Sequence, residues 1–205
     1  GSDRVPDSPS GRGAGGVGVE CAGVMNAFGA KVRLVEMLPR ILPLEDPESS
    51  EVVAKALSRR GVMVHAGSRA TDIKVTDEGV NLRAIPTDGG DPVDLEASTL
   101  LVAVGRRPNT ADLGLETTAA VVDRRGFIQT DPFQETGEPG LFAIGDVTAT
   151  PQLAHAAEVE ARVAAALVAG EAPSPVNSDL IPGCTYCSPE VASVGLTEEE
   201  ALARG

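Results

Sequence analysis

The chain predicts an α/β fold built on a parallel sheet, and three observations carry that prediction. A glycine-rich turn opens a helical pattern over residues 13–29, and a β-rich run over 31–36 follows directly. Residues 100–104 (LLVAV) form an unbroken apolar run, as expected of a strand covered on both faces. Between them helical and strand patterns alternate, the rhythm that parallel strands need for their crossovers.

The elements follow in order. Residues 1–12 are polar, contain Pro6 and Pro9, and do not read as a strand. The first helix places Val17, Cys21, Val24, Met25 and Phe28 roughly along one apolar face, with Gly29 as its C′ residue. Asp46, Pro47 and Glu48 read as N-cap, first helical residue and acidic first turn of a second helix. Its apolar face is Val52, Val53, Ala56 and Leu57, and it ends at Gly61 ahead of a strand over 62–65. Residues 70–97 suggest an antiparallel meander with turns at 77–79 and 88–91. Past 105–108 come a hairpin around Arg124, Arg125 and Gly126, and a short buried strand over 141–144 that stops at Gly145 and Asp146. A helix over 155–169 has apolar positions Val159, Val163, Ala166 and Leu167, and a linker over 171–178 follows it. In the tail, Thr197 and Glu200 form a capping box that announces one more helix.

Composition sets outer limits. At 205 residues, with 42% hydrophobic and 23% charged content, the chain can bury a core in one or two domains. Aromatics are 2% and Trp is absent, so Val, Leu, Ile and Ala must fill it. A net charge of −13 disfavours nucleic-acid partners. No apolar run approaches the roughly 20 residues of a membrane span, and no signal pattern opens the chain. A soluble, cytoplasmic protein is expected. Cys21, Cys184 and Cys187 are too few for a disulfide scaffold. The C-x-x-C of Cys184 and Cys187 has neither a second Cys/His pair nor a thioredoxin-like context, so it reads as structural rather than as a redox or zinc site.

Gly13, Gly15 and Gly18 spell G-x-G-x-x-G at the start of a helix. The three glycines permit a tight turn, close backbone approach to a diphosphate, and close helix–strand packing. The first-turn N–H groups and the helix dipole can then hold phosphate without net positive charge. Glu36 ends the next strand at the offset where an acid accepts ribose hydroxyls. Such a carboxylate repels an extra 2′-phosphate, which favours NAD over NADP. The fingerprint should follow a buried strand, and residues 5–12 lack that pattern. A divergent strand, a foreign leader and a sequence error all remain open there.

From Gly13 onward the chain resembles the pyridine nucleotide–disulfide oxidoreductases, and within them the dihydrolipoamide dehydrogenases. Six blocks in order carry the resemblance: GAGGVGVE (13–20), VRLVEMLPRILP (32–43), LLVAVGRRPNT (100–110), GLFAIGDV (140–147), QLAHAAEVE (152–160) and PEVASVGLTEEEA (189–201). The resemblance implies a central fragment of a longer enzyme. Residues 1–108 would be a Rossmann-like NAD-binding domain, a parallel sheet plus a three-stranded antiparallel meander. Residues 109–176 would be the C-terminal part of an FAD-binding domain, and 177–205 the start of an α+β dimerisation domain.

It also implies site residues. Gly13, Ala14, Gly15, Gly16, Val17, Gly18 and Val19 would hold the NAD diphosphate, with Glu20 near the nicotinamide and Glu36 on the ribose. Ala70 would line the adenine side, with packing an equal alternative, and Gly105 would let the backbone approach the cofactor. Asp146 would bond the sugar hydroxyls of FAD, and Gln152, Leu153, Ala154 and His155 would face the flavin, His155 in a structural role. The parent enzyme would pass electrons from dihydrolipoamide, free or on a lipoyl domain, through a disulfide and FAD to NAD, as a homodimer. In the family, the C-x-x-x-x-C redox pair precedes the matched part and the His/Glu acid–base pair follows it, so this chain has no catalytic residue of its own. Another disulfide reductase of the mercuric or glutathione reductase kind, or a non-catalytic NAD-binding module, is the alternative.

Overall fold

The computed structural model describes residues 9–205, so what was read from residues 1–8 lies outside the described residues. The described chain divides into two compact units. One holds the residues through Gly105 together with Cys184–Gly205, and the other is Arg106–Gly183.

In the first unit, β1 (Pro9–Arg12), α1 (Gly16–Ala27), β2 (Arg33–Val35), α2 (Pro47–Arg59) and β3 (Met63–His65) alternate, and β7 (Thr99–Val102) completes a four-stranded sheet. Its order is β3-β2-β1-β7 and every pairing is parallel. The presence of β1 corrects the sequence expectation. Residues 9–12 are a strand with a neighbour on each side, and the divergent-strand alternative holds for them. Pro9 stands at the first position of the strand, where a missing N–H costs least. Ladder bonds from two neighbours override the weak β-propensity of Ser10 and Gly11.

The meander is β4 (Ser68–Thr76), β5 (Gly79–Pro86) and β6 (Val93–Ala97), antiparallel in the order β4-β5-β6. Two apolar clusters form the core. The larger joins Val19 and Ala22 of α1, Leu34 of β2, Ile41 and Leu42 of the loop after β2, and Val53 and Leu57 of α2. The smaller joins Val35 to Ala70, Leu82, Ala84 and Leu95 of the meander.

In the first unit three burial expectations are overturned. The buried face of α1 is Gly18, Val19 and Ala22, while Val17 (48%), Val24 (51%) and Phe28 (70%) are exposed. A helix set tightly over a sheet turns its smallest residues inward, so size rather than hydrophobicity selects the face. In α2, Val53 and Leu57 are buried with Ser50, but Val52 is exposed. In β7, the edge strand of the sheet, Leu101 and Val102 are exposed, so this strand is not covered on both faces as its apolar run predicts.

The tail packs into the first unit. β8 (Gly183–Thr185) pairs with β9 (Val191–Ser193), and α4 (Glu198–Arg204) follows with its complete Thr197–Glu200 capping box. Cys187 and Val191 pack against the larger core cluster. Asp46, expected to cap α2, occupies the N-cap position but makes no side-chain cap; its Oδ1 accepts from the Glu198 N–H at 3.0 Å.

The second unit is mostly irregular around α3 (Ala154–Val168), with one-turn 3₁₀ helices at Leu115–Thr117, Gly145–Val147 and Ser178–Leu180. The expected hairpin is present as a turn closed by Gly126 N–H on the Asp123 carbonyl, with one bridge between Val122 and Ile128. Residues 141–144 are not a named strand; Phe142 makes a single bridge to Glu135, and Ile144 is exposed. On α3 the buried stripe is Ala156, Glu160, Val163 and Ala164, whereas Val159 is exposed.

Leu34 is fully buried in the larger core cluster and Phe28 is 70% exposed. Leu34→Ala should therefore cost about 2–5 kcal/mol, and Phe28→Ala about 0.5 kcal/mol or less. Denaturant unfolding of the two variants checks the assignment of the α1 and β2 faces.

Candidate functional site

The glycine turn joins β1 to α1, and its geometry depends on two of its glycines. Gly13 has φ +93°, and a Cβ there would sit 2.3 Å from the Ala103 carbonyl oxygen on the segment after β7. A Cβ on Gly18 would sit 1.8 Å from the Gly13 carbonyl oxygen. Gly15, the N-cap of α1, has open space where a side chain would be. The helix therefore starts with no side-chain cap and no acid in its first turn. Its orphan N–H groups and positive dipole end suit an anion.

Backbone contacts fix this turn from the adjacent strand. The Gly13 N–H donates to the Val35 carbonyl at 2.9 Å, and the Leu42 N–H donates to the Ala14 carbonyl at 2.7 Å. The Ala14 N–H donates to Glu36 Oε2 at 2.5 Å, and the Leu38 N–H to Glu36 Oε1 at 2.9 Å. Glu36 is 9% exposed. The acid of the fingerprint is thus brought to the glycine turn, and each of its oxygens already holds one backbone donor. An ionised carboxylate offers about four lone-pair positions, so both oxygens can accept further hydroxyl donors.

Of the other residues named from the sequence, Ala14 and Val19 have side chains fully buried in the larger core cluster, while Val17 is exposed. Glu20 Oε1 accepts the Tyr186 N–H at 2.8 Å, a contact to the tail that sequence reasoning missed. Ala70 is 8% exposed and packed with Val35, Leu82 and Ala84, which makes it a core residue of the meander. Gly105 has φ +114° and nothing within 4 Å of a would-be Cβ. Cys184 and Cys187 are free; the Cys187 thiol donates to the Pro189 carbonyl at 3.0 Å. Burial, and then the Glu20 carboxylate, push its pKa up, opposite to what a reactive thiolate needs.

In the second unit Asp146 lies on the 3₁₀ turn Gly145–Val147. Its Oδ2 accepts from Arg106 Nη1 at 2.9 Å, and its carbonyl from Gln152 Nε2 at 3.4 Å. Leu153 is the N-cap of α3 and offers no side-chain cap, leaving the N–H groups of Ala154 and His155 in an open first turn. His155 Nε2 lies 2.7 Å from the Pro182 carbonyl, a structural tie.

A parallel sheet with a glycine-lined helix tip and an acid at the next strand's end defines a Rossmann-like α/β protein. The profile of the pyridine nucleotide-disulphide oxidoreductases matches residues 12–161, and the chain belongs to that family. A dihydrolipoyl dehydrogenase of Chlorobaculum tepidum is 43% identical over 202 residues, which are 98% of this chain and 43% of that protein. Dihydrolipoyl dehydrogenase 3 of Pseudomonas aeruginosa is 43% identical over 191 residues, 93% of this chain and 40% of the other. LpdA of Mycobacterium tuberculosis superposes with a TM-score of 0.89 at 30% identity, over 99% of this chain and 43% of that one. The flavoprotein disulfide reductase RclA of Escherichia coli superposes with a TM-score of 0.88 at 27% identity, over 100% of this chain and 46% of that one. The chain thus spans less than half the length of the relatives it matches.

Two outcomes test the site's geometry. Gly18→Ala should destabilise by about 1–3 kcal/mol through the clash with Gly13, whereas Gly15→Ala should be near neutral in thermal unfolding. His65, whose carbonyl accepts the Glu36 N–H at 3.0 Å, has its pKa lowered from 6.5 by burial and then by Arg33. The folded state therefore binds the proton less readily than the unfolded chain, and stability should fall as pH drops below about 6.5. Unfolding midpoints across pH 5–7.5 should show a shallower acid slope in His65→Gln.

Proposed function

We propose that this chain is the NAD-binding domain, with part of the FAD-binding domain, of a flavin-dependent dihydrolipoyl dehydrogenase. The observation that carries the reading is the uncapped, glycine-lined tip of α1, tied through Ala14 to the Glu36 carboxylate. Its first-turn N–H groups, from Gly16 onward, would hold the NAD diphosphate, and Glu36 would accept the ribose hydroxyls. A 2′-phosphate would meet the Glu36 charge at close range, so NAD is preferred over NADP. Asp146 and the open N-terminus of α3 would hold FAD, with Asp146 on its sugar hydroxyls.

When both are bound, the flavin would supply an acceptor for a dithiol's electron pair and oxidised NAD the final hydride acceptor. The chain's own residues bind and orient. The glycine turn excludes side chains from the diphosphate, Glu36 selects the sugar, and the α3 N-terminus favours negative charge beside it. The dithiol and the acid–base pair belong to the longer protein, as do the lipoyl substrate, a homodimeric assembly and a cytoplasmic setting. A second reading, another flavoprotein disulfide reductase, draws on the similarity to RclA.

Calorimetric titration of the 205-residue chain with NADH and with NADPH tests the cofactor. NADH should bind about tenfold or more tighter, a difference of at least ~1.4 kcal/mol; equal affinity, or no binding, rejects the assignment. Glu36→Ala should weaken NADH by a similar factor and narrow the gap to NADPH. In the longer protein, turnover of dihydrolipoamide with NAD separates the two disulfide-reductase readings, since only the first predicts it.

A further inference from the structure

The second unit contains a buried acid that no nucleotide motif accounts for. Glu160 has no solvent exposure and lies in the buried stripe of α3 beside Ala156, Val163 and Ala164. Its Oε2 accepts the Gly145 N–H at 2.6 Å. Its Oε1 is buried with no partner among the described residues. Burying a carboxylate with so few partners is unfavourable, and an apolar residue would fill the helix face at lower cost. What the acid provides is a charge-assisted acceptor for one backbone amide.

That amide belongs to a turn held on every side. The Gly145 carbonyl accepts from the Thr148 N–H at 2.9 Å and from Thr148 Oγ1 at 2.8 Å, and Thr148 is itself fully buried. Gly145 has φ +71°, and a Cβ there would sit 3.3 Å from the Ala157 methyl, one turn before Glu160 on α3. Both polar groups of the Gly145 backbone are therefore fixed by buried side chains. The next residue is Asp146, whose side chain is 52% exposed and has Oδ2 on Arg106.

We propose that Glu160 is the positioning residue of the flavin half-site: through the Gly145 N–H it sets the turn that presents Asp146 to the sugar hydroxyls of a flavin nucleotide. This rests on the flavin reading of Asp146. The arrangement separates two tasks. Glu160 supplies a fixed, dry anchor, and Asp146 supplies the exposed acceptor, so the acceptor's placement does not depend on its own exposed ion pair with Arg106.

The test compares wild-type chain with Glu160→Ala, Glu160→Gln and Val163→Ala, a control on the same buried stripe. Two signals are read: the Gly145 amide proton by ¹⁵N–¹H NMR, and FAD binding by quenching of flavin fluorescence. Glu160→Ala should remove the downfield shift and exchange protection of the Gly145 amide and weaken FAD about tenfold or more. Glu160→Gln keeps an acceptor oxygen, so it should shift that amide upfield yet hold FAD within about threefold. Val163→Ala should lower the unfolding midpoint while leaving both signals in place. If Glu160→Ala does not fold, the upfield Gly145 shift in Glu160→Gln decides, and an unmoved amide overturns the proposal. Wild type that takes up FAD, with Glu160→Ala binding it equally well, overturns the positioning role and leaves the flavin reading standing. Wild type that takes up no FAD rejects the flavin reading of Asp146 and this proposal with it.

Discussion

The hydrogen bond from the Ala14 N–H to the Glu36 carboxylate, 2.5 Å long, joins the glycine turn to the end of the second strand. A bond to a charged acceptor contributes about 1.5–3 kcal/mol where water is excluded, and Glu36 is 9% exposed. Its second oxygen holds the Leu38 N–H, and the Ala14 carbonyl holds the Leu42 N–H. Ser50 of α2 then donates to the Leu42 carbonyl at 3.1 Å. One acid thus links the turn, the loop after β2 and the second helix. The tip of α1 keeps its direction because both polar groups of Ala14 are occupied.

The tail strengthens the same unit by contacts of unequal value. Arg40–Glu199 at 3.3 Å is an ion pair with substantial exposure on both sides, and such pairs contribute little. The burial of Cys187 and Val191 against the larger core cluster matters more. So does the Tyr186 N–H on Glu20, which ties the tail to the second turn of α1. Asp46 acts the same way, giving up its cap on α2 to hold the first N–H of α4. Pro47 eases that exchange, since the first helical position of α2 then has no N–H to satisfy.

The alternation of elements, the meander and the glycine turn with its acid were legible in the sequence because each has a local code, whereas the flavin segment was read only through the family resemblance. Gly18 is required by a contact with Gly13 five residues before it, and Asp46–Pro47 and Thr197–Glu200 mark helix starts by their own chemistry; Gly13 is required by Ala103, ninety residues on. The central strand β1 was not legible. Pro9, Ser10 and Gly11 have no strand propensity, and only pairing with β2 and β7, the latter about ninety residues on, makes them a strand. The α1 face was misjudged for a related reason. Hydrophobicity pointed to Val17, Val24 and Phe28, but close approach to a sheet selects Gly18 and Ala22. Glu160 did leave a signal, an acid four residues from Ala156 and from Ala164 on an otherwise apolar stripe, yet nothing in the spacing said which amide it would hold.

The treatment of helix starts separates structural ends from the two candidate nucleotide ends. The seven-residue α4, which no fingerprint touches, has a complete capping box, and the N-cap side chain of α2 is turned to another amide. The starts of α1 and α3 have Gly15 and Leu153, which offer no capping oxygen. Orphan first-turn N–H groups are unfavourable unless something accepts them, and an anion gains both from them and from the dipole. In each unit a buried acid, Glu36 or Glu160, instead holds a backbone N–H of the adjoining turn. A carboxylate used as a cap would occupy the very donors that a diphosphate needs. At α1 the amide held is that of Ala14, one residue outside the N-cap, so the acid fixes the turn and leaves those donors free; at α3 it is that of Gly145, eight residues before the N-cap Leu153. At α1, the rigidity of the turn and the openness of the helix tip therefore have a common cause.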